Sequence, residues 1–236
     1  ACRIIRLYHQ MSFMQTLIRE CLKTVPPEIE KLAHAEGMDS RKMAKQIARG
    51  RIVVPANPRR EHRLCAIGEG CRVKVNVNVG TSGIRCDPDM EVAKAQAAME
   101  NGADALMDLS TGGDLAAMRE RILAFDVPVG TVPIYDAVRR AGSAVDVDAD
   151  LLFATIRDHC RQGVDFLTLH CGVNLDTLAS LREDPRVMGV VSRGGAFHIV
   201  NMAETGEENP LYAEFDYLLE ILVDEDVCVS LGDGMR

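Results

Sequence analysis

The chain has 236 residues, of which 47% are hydrophobic and 26% are charged, and this composition is typical of a globular protein rather than a disordered one. Its formal net charge of −8 and the lack of any lysine- or arginine-rich stripe disfavour a nucleic-acid partner. No stretch approaches the ~20 apolar residues of a membrane span, and residues 1–11 lack the long apolar core of a secretory signal.

The first third of the chain predicts a small helical region. The segments "PPEIEKLAHAEG" (26–37) and "SRKMAKQIARG" (40–50) are typical of two short helices, and "RIVVPANP" (51–58) of an extended segment. We expect Ser40 to cap the second helix and Gly50 to end it. Residues 1–69 are therefore predicted to form a helical N-terminal region with a strand that leads into a second domain, residues 70–236.

The second domain alternates apolar runs with helical segments. The runs are "VKVNVNVG", "ADALMDLS", "VPVGTVPIY", "VDFLTLHCG", "VMGVVSRGG" and "VCVSLGDG". The intervening helices have recognisable ends: Pro88 stands in a first turn, Gly102 at a stop, and Asn209 as a cap before Pro210. This pattern predicts six parallel strands in repeating βα units.

Each of the six runs ends in polar residues. The ring of side chains is Asn76 and Asn78, Asp108 with Ser110, Tyr135, His170, Ser192 with Arg193, and Asp233 with Arg236. A (β/α)₈ barrel carries its active site at the carboxyl ends of all its strands, whereas a doubly wound sheet concentrates such residues at one switch point. The pattern therefore favours a TIM-type (β/α)₈ barrel, of which this chain holds about six strands.

Two glycine-rich segments are candidates for phosphate binding. Neither "VSRGG" nor "GDGMR" belongs to a G-x-G-x-x-G motif, but each combines backbone N–H groups with an arginine fork. Asn76 and Asn78 alternate with valines and so face one side of their strand, and burying two amides without partners is costly, which favours ligand contact.

Each of these residues also has a structural interpretation. Met107 is most simply a core residue, and Tyr135 an interior ring with a satisfied hydroxyl. His170 fits a hydrogen-bonded core histidine. Arg193 and Arg236 could form structural ion pairs with Asp108 or Asp233. The histidines at 9, 34, 62, 159 and 198 have solvated or capping roles as their default.

The eight cysteines are scattered and form no C-x-x-C pair. The spacing in "CAIGEGC" (65–71) matches no common zinc or iron–sulfur pattern, so we interpret Cys65 and Cys71 as loop thiols. Cys171 and Cys228 lie in strand-like runs. The pattern favours reduced thiols in a cytoplasmic protein over a disulfide framework.

Several of these segments, in order along residues 70–236, resemble the phosphomethylpyrimidine synthases of thiamine biosynthesis, a radical S-adenosylmethionine (SAM) family. They are "VNVNVGTS", "GADALMDLSTGGD", "VPVGTVPIYDAV", "GVDFLTLHCGV", "VVSRGGAF", "ENPLYAEFDYLLEI" and "VSLGDGMR", with "PANP" upstream. The resemblance implies a (β/α)₈ barrel that rearranges 5-aminoimidazole ribonucleotide to 4-amino-5-hydroxymethyl-2-methylpyrimidine phosphate. It also implies SAM, a 4Fe–4S cluster, a second divalent metal (zinc or iron), an external electron donor and a homodimer.

The resemblance assigns substrate contacts but no catalytic residue. The substrate-binding positions it implies are Asn78, Met107, Tyr135, His170, Ser192, Arg193, Gly194, Asp233, Gly234, Met235 and Arg236. The family's Glu-Gly-Pro-Gly-His strand, metal-binding histidine and C-terminal cysteine motif do not occur up to Arg236. We therefore expect this chain to be the N-terminal portion of a longer polypeptide, with the metal ligands and the cluster domain beyond Arg236.

Three alternative functions are open at this stage. The related 5-hydroxybenzimidazole synthases act on the same ribonucleotide and share most of these motifs. A non-catalytic protein that binds a phosphorylated imidazole would need no cluster. A phosphate-binding barrel aldolase or isomerase would need a lysine or an acid/base pair at a strand end, and Lys74 comes too early in its run.

Overall fold

The computed structural model describes residues 16–236, so the N-terminal segment and His9 lie outside the described residues. Two compact units are present: one takes in the described residues 16–55 and Leu64–Lys74, and the other takes in Ala56–Arg63 and Val75–Arg236. We call them the helical unit and the barrel unit. Within residues 16–236, none of the helices has the length and apolar character needed to cross a membrane.

The helical unit contains the two predicted helices and one short antiparallel strand pair. Its elements are α1 (Leu17–Cys21), α2 (Pro27–Ala35), α3 (Ser40–Ala48), β1 (Ile52–Val53) and β2 (Ile67–Gly68). The cap of α3 is Asp39 rather than the predicted Ser40, because the Asp39 carboxylate accepts a 2.9 Å hydrogen bond from Lys42 N. Gly50 follows the helix with a φ of +67°, the left-handed conformation expected after a helix end.

The barrel unit alternates strands and helices as predicted. Its elements are β3 (Asn76–Val79), α4 (Pro88–Glu100), β4 (Ala105–Asp108), α5 (Leu115–Leu123), β5 (Val129–Thr131), α6 (Pro133–Ala141), α7 (Ala149–Arg161), β6 (Phe166–Leu169), α8 (Leu175–Glu183), α9 (Arg193–Thr205), α10 (Pro210–Ala213), α11 (Phe215–Asp224) and β7 (Cys228–Leu231). Pro88 opens α4, and the Asn209 side chain caps α10 by accepting from Leu211 N. Both predicted helix starts are confirmed.

The strands of the barrel unit form one parallel sheet in the order β3-β4-β5-β6-β7. The register places Asn78 beside Met107 and Leu169 beside Leu231, so the strands end at one common edge. This mixed α/β architecture is consistent with a partial TIM-type barrel. The core lies between the sheet and the helices packed on it, with Leu152, Ile156 and Leu218 fully buried.

The predicted sixth strand does not form in the described residues. Residues 187–191 are irregular, and Val187, Met188 and Val191 are exposed. The physical reason is that β6 pairs directly with β7, which leaves this run no ladder beside β6. Val191 N donates to the carbonyl oxygen of Arg236 at 2.6 Å, which links this run to the segment after β7.

A buried carboxylate closes the amino-terminal end of the sheet. Asp165, which has no exposed surface, accepts hydrogen bonds from Asn57 N (2.9 Å) and Val129 N (2.7 Å) and forms an ion pair with Arg60. His62 Nε2 lies 2.8 Å from its other carboxylate oxygen, Oδ1. Burial alone would raise the pKa of this carboxyl, but these donors outweigh it and lower the pKa. These contacts hold the segment 56–63 against the amino-terminal end of the sheet, opposite the predicted site.

Candidate functional site

The candidate site lies at the carboxyl ends of the strands and is centred on His170. His170 follows β6 and is 5% exposed, and its carbonyl oxygen accepts from the Asn209 amide at 3.1 Å. Burial, reinforced by the Arg236 charge, lowers the pKa of the imidazole to about 4. Among the described residues, its Nδ1 has no hydrogen-bond partner. This nitrogen is enclosed, because a Cβ at Gly194 would stand 2.6 Å from it, and the imidazole is buried in its neutral form.

Three glycines pack around the His170 ring. A Cβ at Gly194 would stand 2.1 Å from Cε1 of His170, and one at Gly232 would stand 2.9 Å from Cδ2. A Cβ at Gly234 would meet Val173 at 2.2 Å and the Cβ of His170 at 3.2 Å. The glycines of "SRGG" and "LGDG" are therefore required for close approach to the histidine rather than for turn geometry.

The two predicted phosphate-binding segments lie side by side. Ser192 caps α9 by accepting a 3.1 Å hydrogen bond from Gly195 N, and its own N–H donates to the carbonyl oxygen of Arg236 at 3.1 Å. A Cβ at Gly195 would overlap the carbonyl oxygen of Gly234 at 1.7 Å. The amino terminus of a 13-residue helix thus meets Arg193 and Arg236, and both guanidinium groups are on exposed residues.

Arg193 stacks on Tyr135. Its guanidinium carbon lies 5.2 Å from the ring centroid of Tyr135, and the Phe197 ring meets the same tyrosine edge-on at 6.0 Å. Burial raises the pKa of the Tyr135 hydroxyl, so the phenol stays protonated at neutral pH. Among the described residues, Arg119 and Arg140 form ion pairs with aspartates, but neither Arg193 nor Arg236 pairs with Asp108 or Asp233. The interpretation of Arg193 and Arg236 as structural ion-pair partners is therefore not supported.

Asn78 and Met107 occupy neighbouring strands at the same edge. Met107 is 8% exposed and belongs to the core, and Asn76 Nδ2 approaches its sulfur at 3.9 Å. Asn76 and Asn78 face one side of β3 as predicted, but both are exposed. The expected penalty for burying their amides therefore does not arise, and they contact solvent in this structure.

The Asp and Ser of "MDLSTGGD" bind each other. The buried Asp108 carboxylate accepts from Ser110 N at 3.0 Å and from Ser110 Oγ at 2.5 Å, and Ser110 Oγ accepts from Thr81 N at 3.1 Å. Burial raises the pKa of Asp108. Gly80 and Gly112 allow the loops after β3 and β4 to approach each other, since a Cβ at either would stand within 2.5 Å of backbone. These side chains join the two loops.

A buried polar cluster behind Tyr135 is absent from the sequence-based predictions. We call Arg119, Thr131, Asp136 and His159 the Asp136 cluster; all four are 7% exposed or less. Asp136 directly follows Tyr135, and His159 interrupts the apolar face of α7. In the sequence, these two positions are the features that could have indicated the cluster. The residues that bury it lie far apart along the chain.

The prediction that the histidines other than His170 are solvated or capping residues is wrong for three of them. His34 is exposed at the end of α2, as expected. His62 is bound to Asp165, and His159 to Asp136. His198 is 3% exposed on α9, with its ring centroid 6.1 Å from that of His170.

The described residues do not gather three histidine, cysteine or acidic side chains into a metal-binding group. No two of the seven cysteines among residues 16–236 are joined by a disulfide in this structure. Cys65 and Cys71 lie outside helices and strands, as predicted for loop thiols; Cys65 is buried, and Cys71 packs half-buried against the core of the helical unit. The donors for a cluster are thus not provided by residues 16–236.

Comparison with known proteins gives one family and close relatives. The model of the radical SAM ThiC family matches residues 16–236. The chain is 52% identical to the phosphomethylpyrimidine synthase of Methanopyrus kandleri over 228 residues, which are 94% of this chain and 53% of the relative. It is 50% identical to phosphomethylpyrimidine synthase 1 of Methanosarcina mazei over 223 residues, 94% of this chain and 52% of the relative. The chain therefore spans about half the length of the curated relatives it matches.

Proposed function

The chain belongs to the radical SAM ThiC family, and we propose that it forms the substrate-binding part of a phosphomethylpyrimidine synthase. The substrate is 5-aminoimidazole ribonucleotide, and the product is 4-amino-5-hydroxymethyl-2-methylpyrimidine phosphate. The name shared by the relatives supports this reaction over the 5-hydroxybenzimidazole alternative.

One observation carries the proposal. His170, the glycines of "SRGG" and "GDGMR", and the two arginines of those segments come from three different stretches of the chain. They nevertheless pack together at one edge of the sheet. This convergence supports the proposal that the positions implied by the family resemblance bind one ligand there.

The phosphate of the substrate is bound by the "SRGG" segment and its neighbour. The amino terminus of α9 offers backbone N–H groups and the positive end of a helix dipole, and Arg193 and Arg236 offer charge-assisted donors. Asp233, beside Arg236, hydrogen-bonds a ribose hydroxyl, and Met235 packs against the sugar. These two roles follow from the side-chain chemistry at an exposed and a half-buried position.

The imidazole is bound between polar and apolar groups. His170 is neutral and contributes its imidazole ring, and the exposed amide of Asn78 offers both a donor and an acceptor. Met107 and Tyr135 supply apolar walls that limit the access of water to a reactive intermediate. We assign no proton transfer to any of these groups.

The cofactors are SAM, a 4Fe–4S cluster and a second divalent metal. Residues 16–236 do not fit the two metal centres, since no three suitable donors come together there. We propose that their ligands lie in the part of the relatives' length that this chain does not span. No chemical step is therefore derived through the cluster.

The assembly and location follow the family. We propose a cytoplasmic homodimer that receives electrons from an external donor, because scattered cysteines without a C-x-x-C pair suit a reducing compartment. The division into residues 1–69 and a barrel domain at 70–236 belongs to the same proposal.

An aldolase-type function finds less support. Lys74 precedes β3, and its ammonium pairs with Glu36 at 3.0 Å, so it is not at the carboxyl edge of the sheet. A ligand-binding protein without catalysis would share the site, and only turnover separates it from the enzyme.

The test uses the longest natural protein that contains this sequence, reconstituted anaerobically with iron and sulfide. We expect the pyrimidine phosphate, identified by mass spectrometry, from aminoimidazole ribonucleotide and SAM. Arg193→Gln should weaken ribonucleotide binding at least tenfold, whereas Arg157→Gln should not, although Arg157 stacks on Tyr217 in the same manner. Binding without turnover in a cluster-loaded protein would favour the non-catalytic function, and a hydroxybenzimidazole product would end the proposal.

A further inference from the structure

We propose that Asp136 is a positioning residue for Tyr135, and that the Asp136 cluster holds this tyrosine at the wall of the substrate site. The inference deepens the proposed function, on which it rests for the identity of the ligand. Nothing in the family resemblance assigns a role to Asp136, Arg119 or His159.

Asp136 is held by three donors from three helices. Arg119 of α5 donates from Nη2 to Asp136 Oδ2 at 2.8 Å, and His159 of α7 donates from Nε2 to the same oxygen at 3.1 Å. Arg140, one turn along α6, donates from Nε to Asp136 Oδ1 at 3.1 Å. Burial alone would raise the pKa of the carboxyl, but these donors hold it well below its usual range. The carboxylate is therefore charged and fixed in position.

His159 links the cluster to the sheet. Its pKa is lowered to about 4, mainly by burial, so the ring is neutral at pH 7. Since Nε2 donates to Asp136, Nδ1 must accept the hydrogen bond from the Thr131 hydroxyl, at 2.8 Å. Thr131 is the last residue of β5, and Pro133 opens α6 two residues later. Hydrogen bonds therefore hold the turn between β5 and α6 at both ends, through Thr131 before it and Asp136 after it.

A small cavity borders both the cluster and Tyr135. It has a volume of about 10 Å³ and is lined by Tyr135, all four cluster residues, and Asp108 with Ser110. The buried Nε of Arg119 has no partner among the described residues. The volume is that of about one water molecule. The lining of the cavity joins the cluster to Asp108 at the end of β4 and to Ser110 in the loop that follows.

Tyr135 lines this cavity, and its ring also contacts Phe197 and the Arg193 guanidinium. Tyr135 stands in the first turn of α6, so the position of its backbone depends on how that turn is held. Buried ion pairs contribute little net stability compared with apolar residues of the same volume, but they fix geometry through directional bonds. The Asp136 cluster lies next to Tyr135, a residue in the wall of the proposed substrate site. The need to fix the orientation of Tyr135 explains why charged groups are buried at this place.

The experiment labels the full-length protein with 3-fluorotyrosine and follows Tyr135 by ¹⁹F NMR, with the signal assigned by Tyr135→Phe. His159→Phe removes both ring hydrogen bonds at similar volume, and His159→Gln restores a donor and an acceptor. Thr155→Val is the matched control, because Thr155 is fully buried on the same helix and bonds only to the carbonyl oxygen of Leu151. If His159→Phe does not fold, Thr131→Val removes one bond of the cluster and gives the same test.

We expect the Tyr135 signal to shift in His159→Phe, to return in His159→Gln and to stay unchanged in Thr155→Val. Ribonucleotide affinity, measured by calorimetry, should fall at least fivefold in His159→Phe alone. An unmoved Tyr135 signal in folded His159→Phe, or a moved signal with unchanged affinity, would overturn the inference. If the wild-type protein binds no ribonucleotide, the proposed function fails, while the NMR signal still decides whether the cluster positions Tyr135.

Discussion

The backbone of Gly194 lies directly against the imidazole of His170, so that a Cβ at position 194 would stand 2.1 Å from Cε1 and 2.6 Å from Nδ1. Gly194 is in the first turn of α9, and His198 is one turn further along the same face. The two residues make the surface of α9 that covers His170. The position of this ring is therefore set by a helix that begins more than 20 residues downstream of it.

This contact predicts that Gly194→Ala displaces His170. We expect a loss of about 1–3 kcal/mol in the free energy of unfolding, because the added methyl group meets a packed ring, together with weaker ribonucleotide binding. Gly172→Ala is the control, since a Cβ there meets nothing within 4 Å. Urea unfolding and calorimetry measure the two effects. Equal behaviour of the two alanine variants would contradict the packing described for Gly194.

His170 itself is predicted to bind the ribonucleotide. His170→Ala removes the neutral imidazole on which the glycines of the two segments pack, and we expect at least a tenfold loss of affinity, or about 1.4 kcal/mol. His34→Ala, on an exposed helix end, should leave the affinity unchanged. Titration calorimetry on both variants decides the matter. Unchanged affinity and turnover in His170→Ala would remove this residue from the site.

The buried histidines predict a stability that falls with acidification. Burial, with a smaller effect from His170, lowers the pKa of His198 to about 3, whereas an unfolded histidine titrates near 6.5. Below pH 6.5 the unfolded chain binds a proton that the folded chain does not, so the free energy of unfolding decreases as the pH falls towards the folded pKa.

Replacing His198 should remove its share of this dependence. Between pH 7.5 and pH 5.0 its contribution is about 2 kcal/mol, so His198→Leu should flatten the pH profile of urea unfolding by that order. His34→Leu should leave the profile unchanged, because His34 is exposed. An equally steep profile in His198→Leu would show that the imidazole is not buried in its neutral form.

Asp165 is predicted to contribute to the stability of the fold and not to ribonucleotide binding. Asp165→Asn leaves the Arg60 guanidinium partly buried without its carboxylate, and we expect a loss of about 3–5 kcal/mol in the free energy of unfolding. Asp158→Asn breaks a solvent-exposed pair with Arg140 and should cost less than about 1 kcal/mol. Thermal unfolding compares the two. A folded Asp165→Asn protein with impaired ribonucleotide affinity would contradict the separation of the two ends of the sheet.

The alternation of strands and helices could be predicted from the sequence because it depends on local signals. Pro88 and Asn209 mark helix starts through their own backbone and side-chain chemistry, and both predictions are confirmed. The cap at Asp39 differs by one residue from the prediction, since Asp and Ser are equally good caps and only the geometry separates them. The apolar run at 187–191 predicts a strand equally well, but a strand also needs a neighbour, and β7 occupies that place.

By itself, the sequence determined the (β/α) repeat and the polar residues at the strand ends, because periodicity, caps and apolar runs are properties of neighbouring residues. Only the tertiary structure decided that Asn78 is exposed, that His170 is enclosed by glycines, and that Asp136 gathers donors from separate helices. Burial and hydrogen-bond partners depend on elements that are distant along the chain and meet only when the sheet and its helices pack.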